Sequence, residues 1–271
     1  MAVKSSGKPT RKGPGGASRK ASGTASRRSA GGPRIVIVMP GYNCEKTVEG
    51  VFSRIPAGVM KQLHAIVVVN DGSKDATAKV LKTLAKKYAK IKILMHPVNK
   101  GYGAAQKTGF SEAVRMNADV AVLLHSDGQY PPEMLSDMIT PMTTGRADVV
   151  LGSRIKGGQA IAGGMPRYKY FGNRALTILE NLCYGMRVSE YHSGYMGYSK
   201  KALSEISFLK LSDTFHFDGE MLLMSGKRGL RIEEVPIVAR YADEKSHLRP
   251  IKYGMDVLRI IMRNFMGKYD F

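Results

Sequence analysis

"VAVLLHSDGQYPPE", residues 120–133, contains the transition that decides the fold. Its five apolar residues, 120–124, form a run typical of a buried strand, and His125, Ser126 and Asp127 follow that run directly. A glycine and two prolines then prevent the strand from continuing. In parallel sheets covered on both faces, strands are continuous apolar runs and ligands bind beyond their carboxyl ends. The stretch therefore predicts a buried parallel strand whose final polar residues face a ligand.

The same transition recurs along the first half of the chain. Apolar runs predict strands at 34–40, 64–71, 91–96, 119–125 and 147–154, and helical spacing predicts helices at 45–54, 73–90, 103–116 and 131–142. Polar residues follow the strands at Tyr42 and Asn43, Asn70 and Asp71, Asn99 to Gly101, His125 to Gln129, and Gly152 to Arg154. This alternation predicts an α/β fold with a mainly parallel central sheet and helices on both faces. The polar strand ends should meet at one rim.

The second half of the chain has a less regular pattern. Helices are predicted from about Lys169 and at 217–229, and a strand at 230–241 has a bulge or a sheet edge at Pro236. The segment 251–271 predicts an amphipathic helix. Its apolar face holds Ile251, Met255, Leu258, Met262 and Phe265, flanked by Arg259, Arg263 and Lys268. Packing of this face onto the domain is the favoured interpretation, and contact with a membrane surface is the alternative.

Charge and composition bound the remaining choices. The 271 residues carry a formal net charge of +20, and residues 1–33 hold eight Lys or Arg and no acid, which leaves +12 for the rest. We predict that 1–33 is a disordered basic tail, either solvated or in contact with anionic membrane or nucleic acid. Two distant cysteines, Cys44 and Cys183, indicate a reducing compartment. The expected location is therefore cytoplasmic, with peripheral contact at the cytoplasmic membrane face as an extension.

Several common nucleotide and metal signatures are missing from the sequence. It has no Walker A, H-E-x-x-H, paired C-x-x-C or G-x-S-x-G pattern, and "GYGAAQ" has Gln106 where a dinucleotide motif has glycine. The predicted rim instead combines isolated carboxylates, amides and the basic groups of Lys100 and Arg154. Mg²⁺ or Mn²⁺ binds through one or two carboxylates together with substrate phosphates and water. The rim therefore suits a nucleoside diphosphate and a hard divalent cation.

A set of motifs then identifies a family. They are "VIVMPGYNCEKTV" (36–48), "VVVNDGSKDAT" (67–77), "NKGYGAAQKTGF" (99–110), "SDGQYPPE" (126–133), "ADVVLGSR" (147–154), "EYHSGYMGYSKKAL" (190–203), "FHFDGEMLLMSGKRGLRIEEVPI" (215–237) and "YADEKSH" (241–247). In this order they resemble family 2 glycosyltransferases of the GT-A fold, in the dolichol-phosphate mannosyltransferase-like branch. The resemblance covers about residues 34–250, which makes 1–33 a tail and 251–271 an appended helix.

The resemblance implies inverting transfer of a sugar from a UDP- or GDP-sugar. For the nucleotide, it implies that Pro40, Tyr42 and Glu45 flank the nucleobase and ribose, that Asp71 contacts the base, and that Lys100 and Gly101 lie near the nucleotide. For the diphosphate, it implies that Asp127 holds the cation with Gln129 beside it. Arg154 would neutralise phosphate charge. His125 is a departure, since relatives usually have an acid there. An imidazole ligates Mn²⁺ better than Mg²⁺. The sequence leaves three roles open for His125: it ligates the metal, it contacts the acceptor or hydrogen-bonds to a metal ligand, or it simply fills the end of the strand.

The acceptor decides which further residues are needed. Polyprenyl or dolichyl phosphate is the expected acceptor; it is already ionised and needs no strong base, and Arg154, Lys245 and Arg249 would position it. The alternative is a saccharide hydroxyl in polysaccharide or glycolipid synthesis, which requires a carboxylate base. Asp218 is the first candidate for that base, or else a helix cap; Glu190 is the second, or else a loop hydrogen-bonding residue. His192 and Glu220 are expected on the acceptor side.

Two rival functions are weighed against this prediction. A sugar nucleotidyltransferase needs a glycine-rich basic loop after its first strand, where this chain has Pro40 to Asn43. A nucleic-acid-binding protein would need basic and aromatic residues interleaved on one surface. Many of the cations instead lie in the tail, so no specific nucleic-acid partner is expected. Homo-oligomerisation is left open.

Overall fold

The computed structural model describes residues 1–2, 32–238 and 250–271. The predicted tail lies almost wholly outside the described residues, as do Lys245 and Arg249. The fold itself belongs to the compact unit Pro33–Phe271.

The central sheet has seven strands in the described chain. They are β1 Ile35–Gly41, β2 Leu63–Asp71, β3 Ile91–His96, β4 Val120–Leu123, β5 Val149–Ser153, β6 Met196–Ser199 and β7 Ile232–Pro236. Their order is β3-β2-β1-β4-β6-β5-β7. Every neighbouring pair is parallel except those that include β6, which runs antiparallel to β4 and β5. The carboxyl ends of the other six strands therefore meet at one edge, which confirms the predicted rim.

Helices cover both faces of the sheet. They are α1 Val48–Arg54, α2 Ala57–Gln62, α3 Thr77–Lys87, α4 Tyr102–Arg115, α5 Leu135–Thr143, α6 Arg167–Tyr184, α7 Lys200–Glu205, α8 Phe217–Lys227 and α9 Pro250–Phe265, with 3-10 turns at Pro132–Met134 and Phe208–Lys210. Alternate residues of β1 point to opposite layers: Val36 and Val38 pack with α4, α7 and α8, whereas Ile35 and Ile37 pack with α1, α3 and α5. The predicted α/β class is confirmed.

Three features differ from the sequence prediction. The pattern did not identify β6, which is inserted between β4 and β5, or the short helix α2. The favoured packing of the α9 apolar face is wrong: Ile251, Met255 and Met262 are exposed, because α9 packs on the domain through Val257 and Ile261 instead. The predicted edge at Pro236 is confirmed, since β7 is the last strand of the sheet.

No helix in the described part of the chain is long and apolar enough to cross a bilayer.

Candidate active site

The ends of β1 and β2 are tied together by side chains predicted to surround the nucleotide. The Oε2 atom of Glu45 accepts from the backbone N–H of Ala76 at 2.7 Å, and the Asn43 N–H donates to Ser73 Oγ at 2.9 Å. Tyr42 is exposed at this rim, and the Pro40 carbonyl accepts from Ser126 at the end of β4. The strand ends therefore form one continuous polar edge. The roles of Pro40, Tyr42 and Glu45 toward base and ribose stay predictions.

Asp71 anchors the loop that follows β3. Its Oδ1 accepts from the backbone N–H of Lys100 at 2.9 Å, and its Oδ2 accepts from that of Gly101 at 3.0 Å. His96 Nδ1 lies 2.6 Å from the same carboxylate. Gly101 has a φ of 106°, which favours glycine over other residues. The buried carboxylate of Asp71 therefore holds Lys100 and Gly101 at the rim by hydrogen bonds. Its contact with the base stays a prediction.

A hydrogen-bonded chain runs from the end of β4 into the domain. His125 Nε2 lies 2.6 Å from the hydroxyl of Tyr102, and that hydroxyl donates to Asp218 Oδ2 at 2.7 Å. Gln106 donates to the other oxygen of Asp218 at 2.9 Å. Burial raises the pKa of Asp218 above its ordinary value, while His125 and these hydrogen bonds offset part of that rise. Asp218 is thus a buried acceptor with both oxygens engaged.

This chain fixes the tautomer of the neutral imidazole. When Asp218 is ionised, it takes the single hydroxyl proton of Tyr102, and the short contact with His125 then requires a proton on Nε2. The Nδ1 atom then carries the lone pair. It lies 3.9 Å from Oδ2 of Asp127. The other oxygen of Asp127 accepts from the backbone N–H of Gln129 at 2.9 Å, which fixes the carboxylate in the turn.

These two donors suit a divalent cation that also binds substrate phosphates. Adjacent ligands at about 2.1 Å from an octahedral ion lie about 3 Å apart. The Nδ1–Oδ2 separation of 3.9 Å would therefore have to shorten by roughly 1 Å, and the partly exposed side chain of Asp127 has room to move by that amount. No group of three or more His, Cys, Asp or Glu side chains forms a metal cluster among the residues that the structure describes. The remaining ligand positions would therefore belong to phosphate and water. The side-chain role of Gln129 stays a prediction.

A second buried polar group lies beyond β5, on the predicted acceptor side. Arg154 donates through its backbone N–H and its Nε to the two oxygens of Glu190, at 2.8 and 2.9 Å, and through a terminal nitrogen to the His192 carbonyl. Asn173 donates to Glu190 at 2.7 Å. Burial alone would raise the pKa of Glu190, but the Arg154 charge and the hydrogen bonds outweigh it and lower the pKa. We call Arg154, Glu190 and His192 the acceptor cluster.

Helix α9 and helix α6 both contact this cluster. His192 Nδ1 lies 3.0 Å from the hydroxyl of Tyr253 on α9, and its Nε2 lies 3.2 Å from Glu180 on α6. Glu220 is not part of the cluster: its oxygens accept from the Ser212 N–H and from the Tyr269 hydroxyl. The predicted contact of Glu220 with the acceptor therefore has no support in the structure.

Sequence reasoning missed several residues of the site. Tyr102 and Gln106 are one helical turn apart in "GYGAAQ", a stretch that contributed to the family resemblance without either residue being assigned a role. Gly194 lies against the His125 ring and the Tyr102 hydroxyl, leaving no space there for a side chain. The i, i+4 spacing of two polar residues at a helix start was the available signal for Tyr102 and Gln106. No local pattern indicates Gly194.

Comparison with protein families and curated proteins gives consistent matches. The profile described as Glycosyl transferase family 2 matches residues 36–207. The chain is 32% identical over 221 residues to the UDP-N-acetylglucosamine–dolichyl-phosphate N-acetylglucosaminyltransferase of Methanococcus voltae, covering 77% of this chain and 86% of that protein. It is 27% identical to the undecaprenyl-phosphate mannosyltransferase of Micrococcus luteus, covering 75% of this chain and 82% of that protein.

Solved structures give the same fold. A glucosyl-3-phosphoglycerate synthase from Mycobacterium tuberculosis, crystallised with Mn²⁺, uridine diphosphate and glucosyl-3-phosphoglycerate, superposes with a TM-score of 0.62. The match covers 88% of this chain and 81% of that chain at 19% identity. At this level of identity the structural similarity is evidence for the fold alone, and it confirms the predicted GT-A fold.

Proposed function

The chain belongs to glycosyl transferase family 2, and from this premise we propose that it transfers a sugar from a UDP- or GDP-sugar to the phosphate of a polyprenyl lipid. That the chain is a glycosyltransferase follows from the family. The acceptor is our inference, and the names of the relatives from Methanococcus and Micrococcus support it, because both include a lipid phosphate. Family membership also removes the reason for a nucleic-acid-binding function, which rested on net charge alone.

One observation carries the choice of acceptor. A hydroxyl acceptor needs a carboxylate that is free to take its proton as it attacks. The two carboxylates predicted for that task are both buried and occupied: Asp218 accepts from Tyr102 and Gln106, and Glu190 from Arg154. A phosphate monoester is already ionised near neutral pH and needs no base. The arrangement therefore favours a phosphate acceptor over a saccharide hydroxyl.

The reaction then balances without a proton transfer to the protein. A phosphate oxygen of the lipid forms a bond to the anomeric carbon, the bond from that carbon to the donor diphosphate breaks, and nucleoside diphosphate leaves with inversion. Asp127 and Nδ1 of His125 would hold a divalent cation, which supplies positive charge against the leaving diphosphate when it is bound. The Tyr102–Asp218 pair keeps the imidazole oriented. Arg154, held by Glu190, would orient the incoming phosphate.

Such an acceptor requires the protein to work at a membrane surface. Since no membrane-crossing helix occurs in the described chain, contact would be peripheral for that part. We infer action at the cytoplasmic face, which the two free cysteines support as a sign of a reducing compartment. The predicted tail, with its eight cations, would add electrostatic attraction to anionic lipid.

The test is a donor screen scored by nucleoside diphosphate release, run with UDP- and GDP-sugars and with Mn²⁺ supplied. Each donor is tested with a polyprenyl phosphate, with a saccharide acceptor and with neither, and Asp127→Asn serves as the inactive control. Release that depends on the polyprenyl phosphate, together with a glycolipid product, is expected. Release that depends only on a saccharide would reject the lipid acceptor, and absence of release with every donor would reject the activity.

A further inference from the structure

Helix α6 presents an apolar stripe on the side opposite to its buried face. Its buried residues Asn173, Thr177 and Glu180 recur at helical spacing and point into the domain. The exposed apolar residues occupy the opposite side, at Tyr168, Phe171, Ile178 and Leu182, and Leu182 is 77% exposed. The steps of three, seven and four residues between them place all four along one side of the helix. We call these four residues the α6 stripe.

Helix α9, which contacts α6, carries a second stripe. Val257 and Ile261 are buried and attach the helix to the domain. The α9 stripe consists of Ile251, Met255, Leu258, Met262 and Phe265, all exposed, with Ile251 at 82%. Isolated exposed apolar residues are ordinary, but two aligned stripes on contacting helices mark a surface that binds something apolar.

The charges around the stripes have one sign. Exposed cations on the two helices are Arg167, Arg174, Lys252, Arg259 and Arg263. The acids on the same helices are less exposed than these cations: Glu180 is buried, and the partly buried Asp256 lies 3.5 Å from both His216 and Arg259, whose side chain stays 77% exposed. Among the described residues of α6 and α9, the solvent-facing surface is therefore apolar and basic. A second copy of this chain would bring like charges together, whereas an anionic lipid surface complements both properties.

The inner faces of the same helices contact the acceptor cluster. Asn173 and Glu180 of α6 lie against Glu190 and His192, and Tyr253 of α9 lies against His192. The exposed stripes and the acceptor cluster therefore lie on opposite sides of the same helices, separated by the diameter of one helix, roughly 10 Å. A bilayer held on the outside would lie within a few side-chain lengths of the cluster.

We propose that α6 and α9 together form a surface that docks this protein onto an anionic phospholipid bilayer. The apolar stripes enter the boundary between headgroups and acyl chains, and the flanking Arg and Lys bind lipid phosphates. The surface presents the acceptor cluster to a lipid phosphate, and this last clause rests on the proposed function. The docking itself does not depend on it.

The experiment is cosedimentation of the full chain with vesicles of phosphatidylcholine alone and of phosphatidylcholine with phosphatidylglycerol. Removing two cations, in Arg259→Gln with Arg263→Gln, should weaken binding to the anionic vesicles roughly 30-fold, at about five-fold for each charge. Removing apolar contact, in Leu182→Gln with Met262→Gln, should weaken it by about ten-fold or more. Every variant keeps the basic tail, so differences report on the helices.

Matched controls separate this surface from general charge and hydrophobicity. Lys82→Gln with Lys86→Gln removes two exposed cations of α3, and Val114→Gln replaces an exposed apolar residue of α4. Both control proteins should bind vesicles like the parent. Equal losses in controls and test variants, or no loss in the test variants, would overturn the proposal. Loss of self-association in the Leu182 and Met262 variant without vesicles would overturn it in favour of a second copy.

Activity with two forms of acceptor separates this proposal from the proposed function. The surface variants should keep parental turnover with a short, water-soluble prenyl phosphate and lose it with a long-chain polyprenyl phosphate embedded in vesicles. Equal loss with both acceptors would overturn a docking role. If the parent used neither acceptor, the proposed function would fail, while the vesicle-binding result would still decide the docking surface.

Discussion

Gly194→Ala tests whether the position of the His125 imidazole matters. Gly194 lies in the loop before β6, and its backbone N–H donates to the Tyr130 hydroxyl at 2.8 Å. An added Cβ would lie 2.7 Å from both His125 Nε2 and the Tyr102 hydroxyl oxygen. The φ of Gly194 is outside the left-handed region, so alanine can adopt its backbone. The substitution therefore acts through this contact.

The size of the effect follows from the overlap. Ordinary Cβ contacts begin at 3.4 Å, so the imidazole or the phenol must move by roughly 0.7 Å. Misplacement of a site group by about 1 Å costs about 100-fold in rate. We expect kcat/KM to fall by roughly 30- to 100-fold, equal to about 2 to 3 kcal/mol of transition-state stabilisation. Overpacking should also lower the free energy of unfolding by about 1 to 3 kcal/mol.

The assay measures nucleoside diphosphate release, with Mn²⁺ affinity followed by electron paramagnetic resonance in the presence of the diphosphate product. Gly50→Ala is the control, because a Cβ at this position on α1 meets nothing within 4 Å. It should leave activity unchanged. Full activity and parental Mn²⁺ affinity in a folded Gly194→Ala protein would refute the reasoning that the imidazole position supports catalysis.

Three other predictions concern the same site and the stability of the fold. Tyr102→Phe removes the hydroxyl that orients His125, and Mn²⁺ affinity measured by electron paramagnetic resonance should fall by about 10- to 100-fold; unchanged affinity would contradict the tautomer argument. The parent should turn over faster with Mn²⁺ than with Mg²⁺, and Asp127→Asn should lose turnover with both; equal rates in the two metals would argue against ligation by His125. Hydrogen bonding to Arg231 lowers the pKa of Asp148 to about 2. This contribution to stability is complete above pH 3.8 and is lost as the pH falls toward 2, so urea unfolding should show Asp148→Asn costing about 1 kcal/mol at pH 7 and less at pH 3.

The rim of the sheet was predictable because it depends on local pattern alone. Each strand is a short apolar run that ends in polar residues, and parallel strands bring such ends to one edge without any knowledge of side-chain contacts. The strand that ends at Asp71 and the strand that His125 follows both illustrate this. Strand β6 was not predictable in the same way, since "MGYS" is too short to show a period and pairs antiparallel in a largely parallel sheet.

The contacts inside the site depend on tertiary structure. Tyr102 and Asp218 are separated by 116 residues, and only the packing of α4 against α8 brings them together. The sequence placed Asp218 on a helix near the acceptor but could not indicate that both its oxygens are occupied. The α9 stripe was identified correctly as an apolar face. Its exposure could not be read from periodicity, which detects a face without indicating whether protein, lipid or water covers it.

His125, the departure from the family pattern, is explained by its hydrogen-bonded contacts with Tyr102 and, through it, Asp218. The family resemblance implies an acid where this chain has His125, and here a carboxylate, that of Asp218, is linked to His125 through the Tyr102 hydroxyl. The imidazole places its Nδ1 atom 3.9 Å from Asp127 Oδ2, while the buried Asp218 fixes the orientation of the ring through Tyr102. An acid restored at 125 alone would leave the single proton of Tyr102 between two carboxylates, and their repulsion would oppose ionisation of both. Tyr102, His125 and Asp218 therefore form one hydrogen-bonded unit, and a change at any one of them would alter how His125 meets the proposed cation.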